Sequence, residues 1–242
     1  MDRHVYDRMR EIEADHWWFA ARREILADQI GRLGLPAGAE ILEVGCGTGG
    51  NLAMLSAFGR VQAIEPDAES RAYAGRDGVL VREGLLPDGL PAFDTAFDLV
   101  AAFDVIEHVD QDEASVAALA ALLKPGGAFI ATVPAYQWMW SRHDLAHHHK
   151  RRYGLEGIRR LFVAAGLRIE KASHFNSLLF PPIAAVRLAQ KALGVEGGED
   201  DAMPSAPVNG LFRQIFRLEK PLVAHADLPF GVSILIVARK PG

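Results

Sequence analysis

Short apolar runs alternate with helical periodicity through the first two thirds of the chain. Ile41–Val44, Val61–Ile64, Val79–Val81, Phe97–Ala102 and Ala128–Val133 are apolar and partly β-branched, the pattern of strands buried on both faces. Asn51–Phe58, Ala68–Ala74, Glu113–Leu123 and Leu155–Ala165 have the character of helices. Such alternation predicts parallel pairing with right-handed crossovers, hence an α/β sheet with helices on both faces. Leu167–Ala172 and Val232–Ala238 bring the strands to seven. The second is apolar throughout and fits an interior place better than an edge.

Two stretches break the rhythm. Residues 1–35 precede the first strand and hold a helix-like run, Trp18–Leu33, rich in aromatics and arginine. Residues 176–227 separate the last two strands, too long for a simple connection. In that insert, Leu178–Leu193 and Leu211–Ala224 are expected to be amphipathic helices. Between them Gly194–Asn209, dominated by Gly, Glu, Asp, Pro and Ser, predicts a mobile link. The expected organisation is one domain over 1–242: an N-terminal helical lid (1–35), a core (40–175), a helical insert or cap (176–227) and a final strand (231–240).

Composition narrows the function. Of 242 residues half are hydrophobic and 24% are charged, enough for a full core and against a disordered chain. Lysine and arginine total 26 against 31 acids, a net charge of −5, and no basic stripe marks a nucleic-acid binder. Cys46 alone can form no internal disulfide and no cysteine-rich metal site. Met1–Arg10 lacks the apolar core of a signal peptide, and no run of about 18 apolar residues predicts a membrane span. A cytoplasmic location is expected.

The strongest chemical signal is Ile41-Leu-Glu43-Val-Gly45-Cys46-Gly47-Thr48-Gly49-Gly50-Asn51, a strand entering a helix through a glycine turn. Glycines there allow positive φ and close ligand approach, while the helix start offers free N–H groups. Gly45-x-Gly47-x-x-Gly50, with Glu65 twenty residues past Gly45, also matches a dinucleotide fingerprint. Glu43 decides against it. A carboxylate at the strand's tip repels a pyrophosphate and favours a ligand carrying cationic sulfur and ammonium groups. Glu65, ending Ala63-Ile64-Glu65-Pro66, can accept two hydrogen bonds from a ribose diol in either case.

These residues resemble the class I S-adenosylmethionine-dependent methyltransferases. Supporting the resemblance are E-x-G-x-G-x-G, the acidic end of strand two, Phe97-Asp98-Leu99-Val100 as strand four, and Leu123-Lys124-Pro125-Gly126-Gly127 before strand five, in order over about residues 40–170. It implies a Rossmann-like fold and S-adenosyl-L-methionine as cofactor. It places Glu43, Gly45, Cys46, Gly47 and Gly49 on the methionine side, Glu65 at the ribose, and Asp104 at the end of strand four on the same wall. After strand three the chain reads Glu83-Gly84-Leu85-Leu86, which leaves the adenine contact open.

His16-Trp17-Trp18-Phe19-Ala20-Ala21-Arg22-Arg23 is similar to the leading segment of a bacterial subgroup of that family, where a helix lies over the cofactor cleft. Tyr6, Trp18 and Arg22 are candidates for closing the pocket, with Arg22 or Arg23 pairing the ligand's carboxylate. A plain packing helix is the alternative.

Methyl transfer needs position, desolvation and, where required, a base. Asp104-Val-Ile-Glu107-His108 offers His108. Its acid-x-x-Glu-His spacing also resembles the divalent-ion site of ubiquinone-biosynthesis O-methyltransferases, while the plainer reading is a helix start favouring negative charge; no metal is expected. Ser141–Tyr153 holds four of the nine histidines and is too polar for core. There His143, paired with Asp144, His147 or His149, is a second base candidate, and Tyr153 a substrate contact. The insert is expected to extend the core, cover substrate, make a dimer surface or rest on a membrane. The expected activity is methylation of an oxygen or nitrogen on a small molecule, a saccharide or lipid-linked intermediate by the subgroup's resemblance. The alternatives are a metal-assisted phenol or catechol O-methyltransferase and a non-catalytic cofactor-binding module.

Overall fold

The computed structural model describes residues 2–194 and 202–242. Two helices come first, α1 (Arg3–Ile12) and α2 (Trp17–Gly31). The alternating core follows: β1 (Ala39–Val44), α3 (Leu52–Ser56), β2 (Gly59–Ile64), α4 (Ala68–Ala74), β3 (Leu80–Arg82), β4 (Phe97–Phe103), α5 (Asp112–Ala121) and β5 (Leu123–Pro134). Then come α6 (Arg142–Ala146), α7 (Leu155–Ala164), β6 (Arg168–Phe175), α8 (Phe180–Leu193), α9 (Ala206–Arg217), α10 (Glu219–His225) and β7 (Ser233–Arg239).

The seven strands form one sheet in the order β3-β2-β1-β4-β5-β7-β6. All pairings from β3 to β5 are parallel, whereas β7 runs antiparallel to both β5 and β6. The interior place expected for the last strand is therefore correct. Strand alternation alone could not show its reversed direction.

Continuous apolar strands follow from covering both faces. Leu42, Val44, Val100, Ala102, Phe129, Ala131, Ile234 and Ile236 pack with α5 and α7 through Val116, Leu119, Ile158 and Phe162. The intervening Ile41, Leu99, Ala101, Ile130, Leu235 and Val237 meet Ile25, Leu26 and Ile30 of α2, Phe216 of α9 and Val223 of α10. Successive side chains point to opposite faces, so parity along a strand assigns each residue to one helical layer.

Some elements differ from the sequence expectation. The polar segment before Asp15 forms α1, whose Val5 and Ile12 are buried. The helix expected over Leu211–Ala224 is two, α9 and α10, meeting at Leu218. Part of the link expected over Gly194–Asn209 is ordered: Gly194 closes α8 in the left-handed region, and Ala206–Asn209 begins α9. Its residues 195–201 lie outside the described residues. Among the described residues, no helix is long and apolar enough to cross a membrane.

Candidate active site

A cavity of about 760 Å³ opens over the C-terminal ends of the parallel strands, where an open α/β sheet binds ligands. Gly45 and Gly47 shape its floor with φ of 63° and 54°. A Cβ on Gly45 would lie 2.8 Å from Val105 Cγ2, so that position admits no side chain. The Gly47 N–H donates to Glu65 Oε2 at 2.8 Å and the Asp67 N–H to Oε1 at 2.9 Å. Two backbone donors thus fix a buried carboxylate that keeps further lone pairs for a ligand. Burial raises the Glu65 pKa against those bonds. Tyr6 of α1 lines the same corner; burial, then the nearby Glu65 charge, lifts its phenol to about 12. Cys46 is on the wall too, and burial holds it as the thiol.

Glu43 and Gly49 are not on the wall. Glu43 shares strand parity with Ile41, so it points beneath the turn toward α2. It is 1% exposed and accepts from Asn51 Nδ2 at 2.9 Å, while its second oxygen has no partner. Burial raises its pKa to about 7. Its influence on a ligand runs through Asn51, which does line the cavity. Gly49, at φ 90°, is a packing glycine: a Cβ there would come within 3.1 Å of Ala74 and Leu52.

Glu13, unlike Glu43, places a carboxylate on the cavity wall. It follows α1, lines the cavity, accepts from Thr48 Oγ1 at 2.7 Å and sits where a Cβ on Gly50 would fall. Burial raises its pKa. Nothing in the local sequence marks it, because its place depends on how α1 docks.

At the end of β4, Asp104 adopts φ 57°, accepts from Thr132 Oγ1 at 3.0 Å and forms an ion pair with Arg22. Arg22 lines the cavity and is engaged by a protein acid. Arg23 also lines the wall and donates to the Ala14 carbonyl at 2.9 Å. Trp18 stacks on Phe175 and Phe216, with ring centroids 6.1 and 5.2 Å away, so this wall residue also anchors α2 to α9.

The Ser141–Tyr153 segment overturns the expectation that it is too polar for the core. Asp144 is fully buried and closes a capping box with Ser141 at the start of α6. It accepts from Arg152 Nε at 2.7 Å, and 2.8 Å separates it from His149 Nδ1. Burial opposes its charge, yet the bonds from His149 and Arg152 hold it well below the usual carboxylate range. The partner of Asp144 is therefore His149, and Asp144 positions rather than touches a substrate. Tyr153 leaves the site: its hydroxyl donates to Asp112 Oδ2 at 2.8 Å and its ring joins the α5–α7 core layer.

His108, His143, His147 and His149 all line the cavity. Ring centroids lie 3.9 Å apart for His143 and His147 and 4.6 Å for His108 and His149. Burial, then the charge of His149 and His147, drives His108 down to about 3; burial and the same neighbours hold His143 well below its usual value. Glu107 is fully buried with both oxygens unpartnered, 4.0 Å from His149 Nε2. Burial, then Asp104, raises its pKa well above normal. It sits in one 3₁₀ turn, Ile106–His108, and α5 begins only at Asp112, so no α-helix start accounts for Asp104 or Glu107.

The methyltransferase-domain family profile matches residues 18–172. A probable S-adenosylmethionine-dependent methyltransferase of Mycolicibacterium smegmatis is 29% identical over 164 residues, 66% of this chain and 62% of that protein. A ubiquinone biosynthesis O-methyltransferase of Xanthomonas axonopodis is 33% identical over 138 residues, 50% of this chain and 57% of that protein. The chain thus spans about three fifths of the length of these curated relatives. Among solved structures, a putative methyltransferase complexed with the Trm112 activator of Haloferax volcanii superposes with TM-score 0.63 at 19% identity, covering 98% of this chain and 95% of that one. Geranyl diphosphate C-methyltransferase from Streptomyces coelicolor gives 0.59 at 16% identity, covering 90% and 79%. Likeness at that identity shows the shared fold.

Proposed function

Because the chain belongs to the methyltransferase-domain family, we propose that it moves a methyl group from S-adenosylmethionine to a hydroxyl or amine of a small-molecule acceptor. The residues suit that donor. Glu65 is fixed to accept from a ribose diol. The acids Glu13, Glu65 and Asp104 line the cavity near the turn, a setting less suited to a pyrophosphate than to a ligand carrying cationic groups. Bound there, S-adenosylmethionine supplies an electrophilic methyl on a cationic sulfur.

The observation that carries the acceptor chemistry is the Asp144–His149 pair. A carboxylate only accepts, so the neutral imidazole carries its proton on Nδ1 and leaves the Nε2 lone pair to take a proton from the nucleophile. Burial and neighbouring imidazoles disfavour protonation of His108 and His143, which makes both poor candidates for the base. Cavity walls from α1, α2 and α8 keep water from the reacting atoms.

The test is transfer of label from methyl-labelled S-adenosylmethionine into pooled cell metabolites by wild-type protein and His149→Gln. A labelled product is expected from the wild type, formed about a hundredfold more slowly by the variant at unchanged S-adenosylhomocysteine affinity. Repeated absence of product from the wild type overturns the proposal.

One observation favours a second reading. Ligand atoms of Glu107, His108 and His149 lie within 4.8 Å of one another, and Glu107 lacks any other partner. A divalent cation held there would make a phenolic acceptor more acidic. Asp104, part of the set expected from sequence, is engaged by Arg22 and Thr132 instead. Activity lost to a chelator and restored by magnesium supports this reading; activity indifferent to chelation removes it.

A further inference from the structure

Beyond the glycine turn, the sheet's C-terminal rim runs from Asp104 after β4, past Pro134 of β5 and Ser233 of β7, to Asn176 just after β6. All four line the one cavity. Three strand spacings separate Asp104 from Asn176, so the cavity continues about 14 Å beyond the cofactor end of the rim.

Asn176 is unlike its neighbours. It holds a left-handed backbone at φ 56° and is 1% exposed, and neither its side-chain nitrogen nor its side-chain oxygen meets a hydrogen-bond partner in the protein. Its backbone is held firmly: the carbonyl accepts from the Val232 N–H at 3.4 Å. Two residues along, the Leu178 N–H donates to the buried Glu219 carboxylate at 2.7 Å. A strained residue kept in place by these bonds, with a buried amide left unpaired toward a cavity, is a feature folding alone disfavours.

The wall around it is apolar. Leu179 and Ile183 line it from the start of α8, Phe212 from α9, and Trp18 stacks on the preceding Phe175. Arg187 of α8 stands toward the histidines, where it feels the charges of Arg152 and Asp144. An amide offers one acceptor and two donors and carries no charge. Its complement is a neutral group that both donates and accepts.

We infer that Asn176 is a specificity-determining residue for the methyl acceptor, pairing with an uncharged hydroxyl or carboxamide on an elongated, otherwise apolar molecule whose methylated atom lies toward Asp104. The inference rests on the methyltransferase reading and gives that reading a substrate class. Acceptors ending in a carboxylate bind worse, because the uncharged Asn176 amide offers a buried carboxylate no neutralising charge.

The test uses protein saturated with S-adenosylhomocysteine, which fills the cofactor end, and three probes of equal length: hexanamide, 1-hexanol and hexanoate, followed by ligand-observed NMR. Asn176→Gly keeps the left-handed backbone without the side chain, and Asn176→Asp keeps the shape while replacing the donor by a charge. Hexanamide and hexanol are expected to bind the wild type and to weaken at least roughly fivefold in Asn176→Gly, with S-adenosylhomocysteine affinity held within about twofold. Hexanoate is expected to bind the wild type at least roughly fivefold more weakly than hexanamide. Equal hexanamide affinity in wild type and variant, hexanoate binding as well as the amide, or no amide binding to the saturated wild type overturns the inference. Should Asn176→Gly fail to fold, Asn176→Asp takes its place: weaker hexanamide binding supports the inference and unchanged binding overturns it. Failure of the wild type to bind S-adenosylhomocysteine at all strikes instead at the proposed function.

Discussion

A buried acid with one amide partner makes Glu43 sensitive to pH. Its carboxyl rises from 4.5 to about 7 on folding because burial disfavours the charge. Between those values the folded chain binds the extra proton, so this group's contribution to stability is lost as pH rises through that window. Glu43→Gln keeps the contact with Asn51 and removes the titration. Melting temperatures taken between pH 5 and pH 8 should therefore fall less steeply for the variant, and it should be the more stable protein at pH 8 by roughly 1 kcal/mol or more. An unchanged slope would mean that the acid is solvated. At this scale the sequence disclosed which residues are special more readily than where they point. The glycine motif identified Gly45, Gly47 and Glu65, all on the wall. Glu43 was assigned to that wall by motif position, but strand parity turns it beneath the floor. Asp144 and His149 were visible as residue types in a histidine-rich run, but their pairing exists only once the chain after α6 folds back on Asp144. Asn176 carried no signal, since its backbone conformation and missing partners exist only after β6, β7 and α10 assemble.

Helix α1 is the element least visible in the sequence and the one with most influence on access. Its polar face hid its role, yet it brings Tyr6 and Met9 to the wall and leads into Glu13. Exposed pairs tie it down, Arg3 with Asp67 and Glu69 and Asp2 with His148. Such exposed pairs are screened by solvent and hold little, so α1 docks mainly through its buried and cavity-facing side chains. Replacing Tyr6 with alanine should weaken S-adenosylhomocysteine binding roughly tenfold, mostly through faster release, with the sheet's unfolding little changed. Calorimetry and stopped-flow release measurements check this; an unchanged release rate would show that α1 does not close the site. Helices α2 and α8 formed close to the bounds expected from sequence, Trp17–Gly31 against Trp18–Leu33 and Phe180–Leu193 against Leu178–Leu193. The break between α9 and α10 was not expected, since the apolar spacing runs on across Leu218.

The strand–helix rhythm up to β5 was readable because parallel strands covered on both faces leave uninterrupted apolar runs. The direction of β7 was not readable, for an interior strand looks the same either way. Because β6 is antiparallel to β7 it runs the same way as β5, so Asn176 after β6 and Ser233 at the start of β7 share a rim with Asp104, and all three line the one cavity. Charge is distributed along that length. Glu13, Glu65 and Asp104, the last paired with Arg22, lie toward the glycine turn, while Glu107, Arg152 and Arg187 lie nearer the histidines. The preference for a cationic donor is therefore a property of several acids together rather than of Glu43 alone. Calorimetric titration of the wild-type protein with S-adenosylhomocysteine and, separately, with NAD tests which adenosyl cofactor the site takes. The expected result is binding of the adenosyl ligand with a dissociation constant on the order of micromolar and no binding of NAD. Binding of NAD without binding of S-adenosylhomocysteine would refute the assignment of the donor.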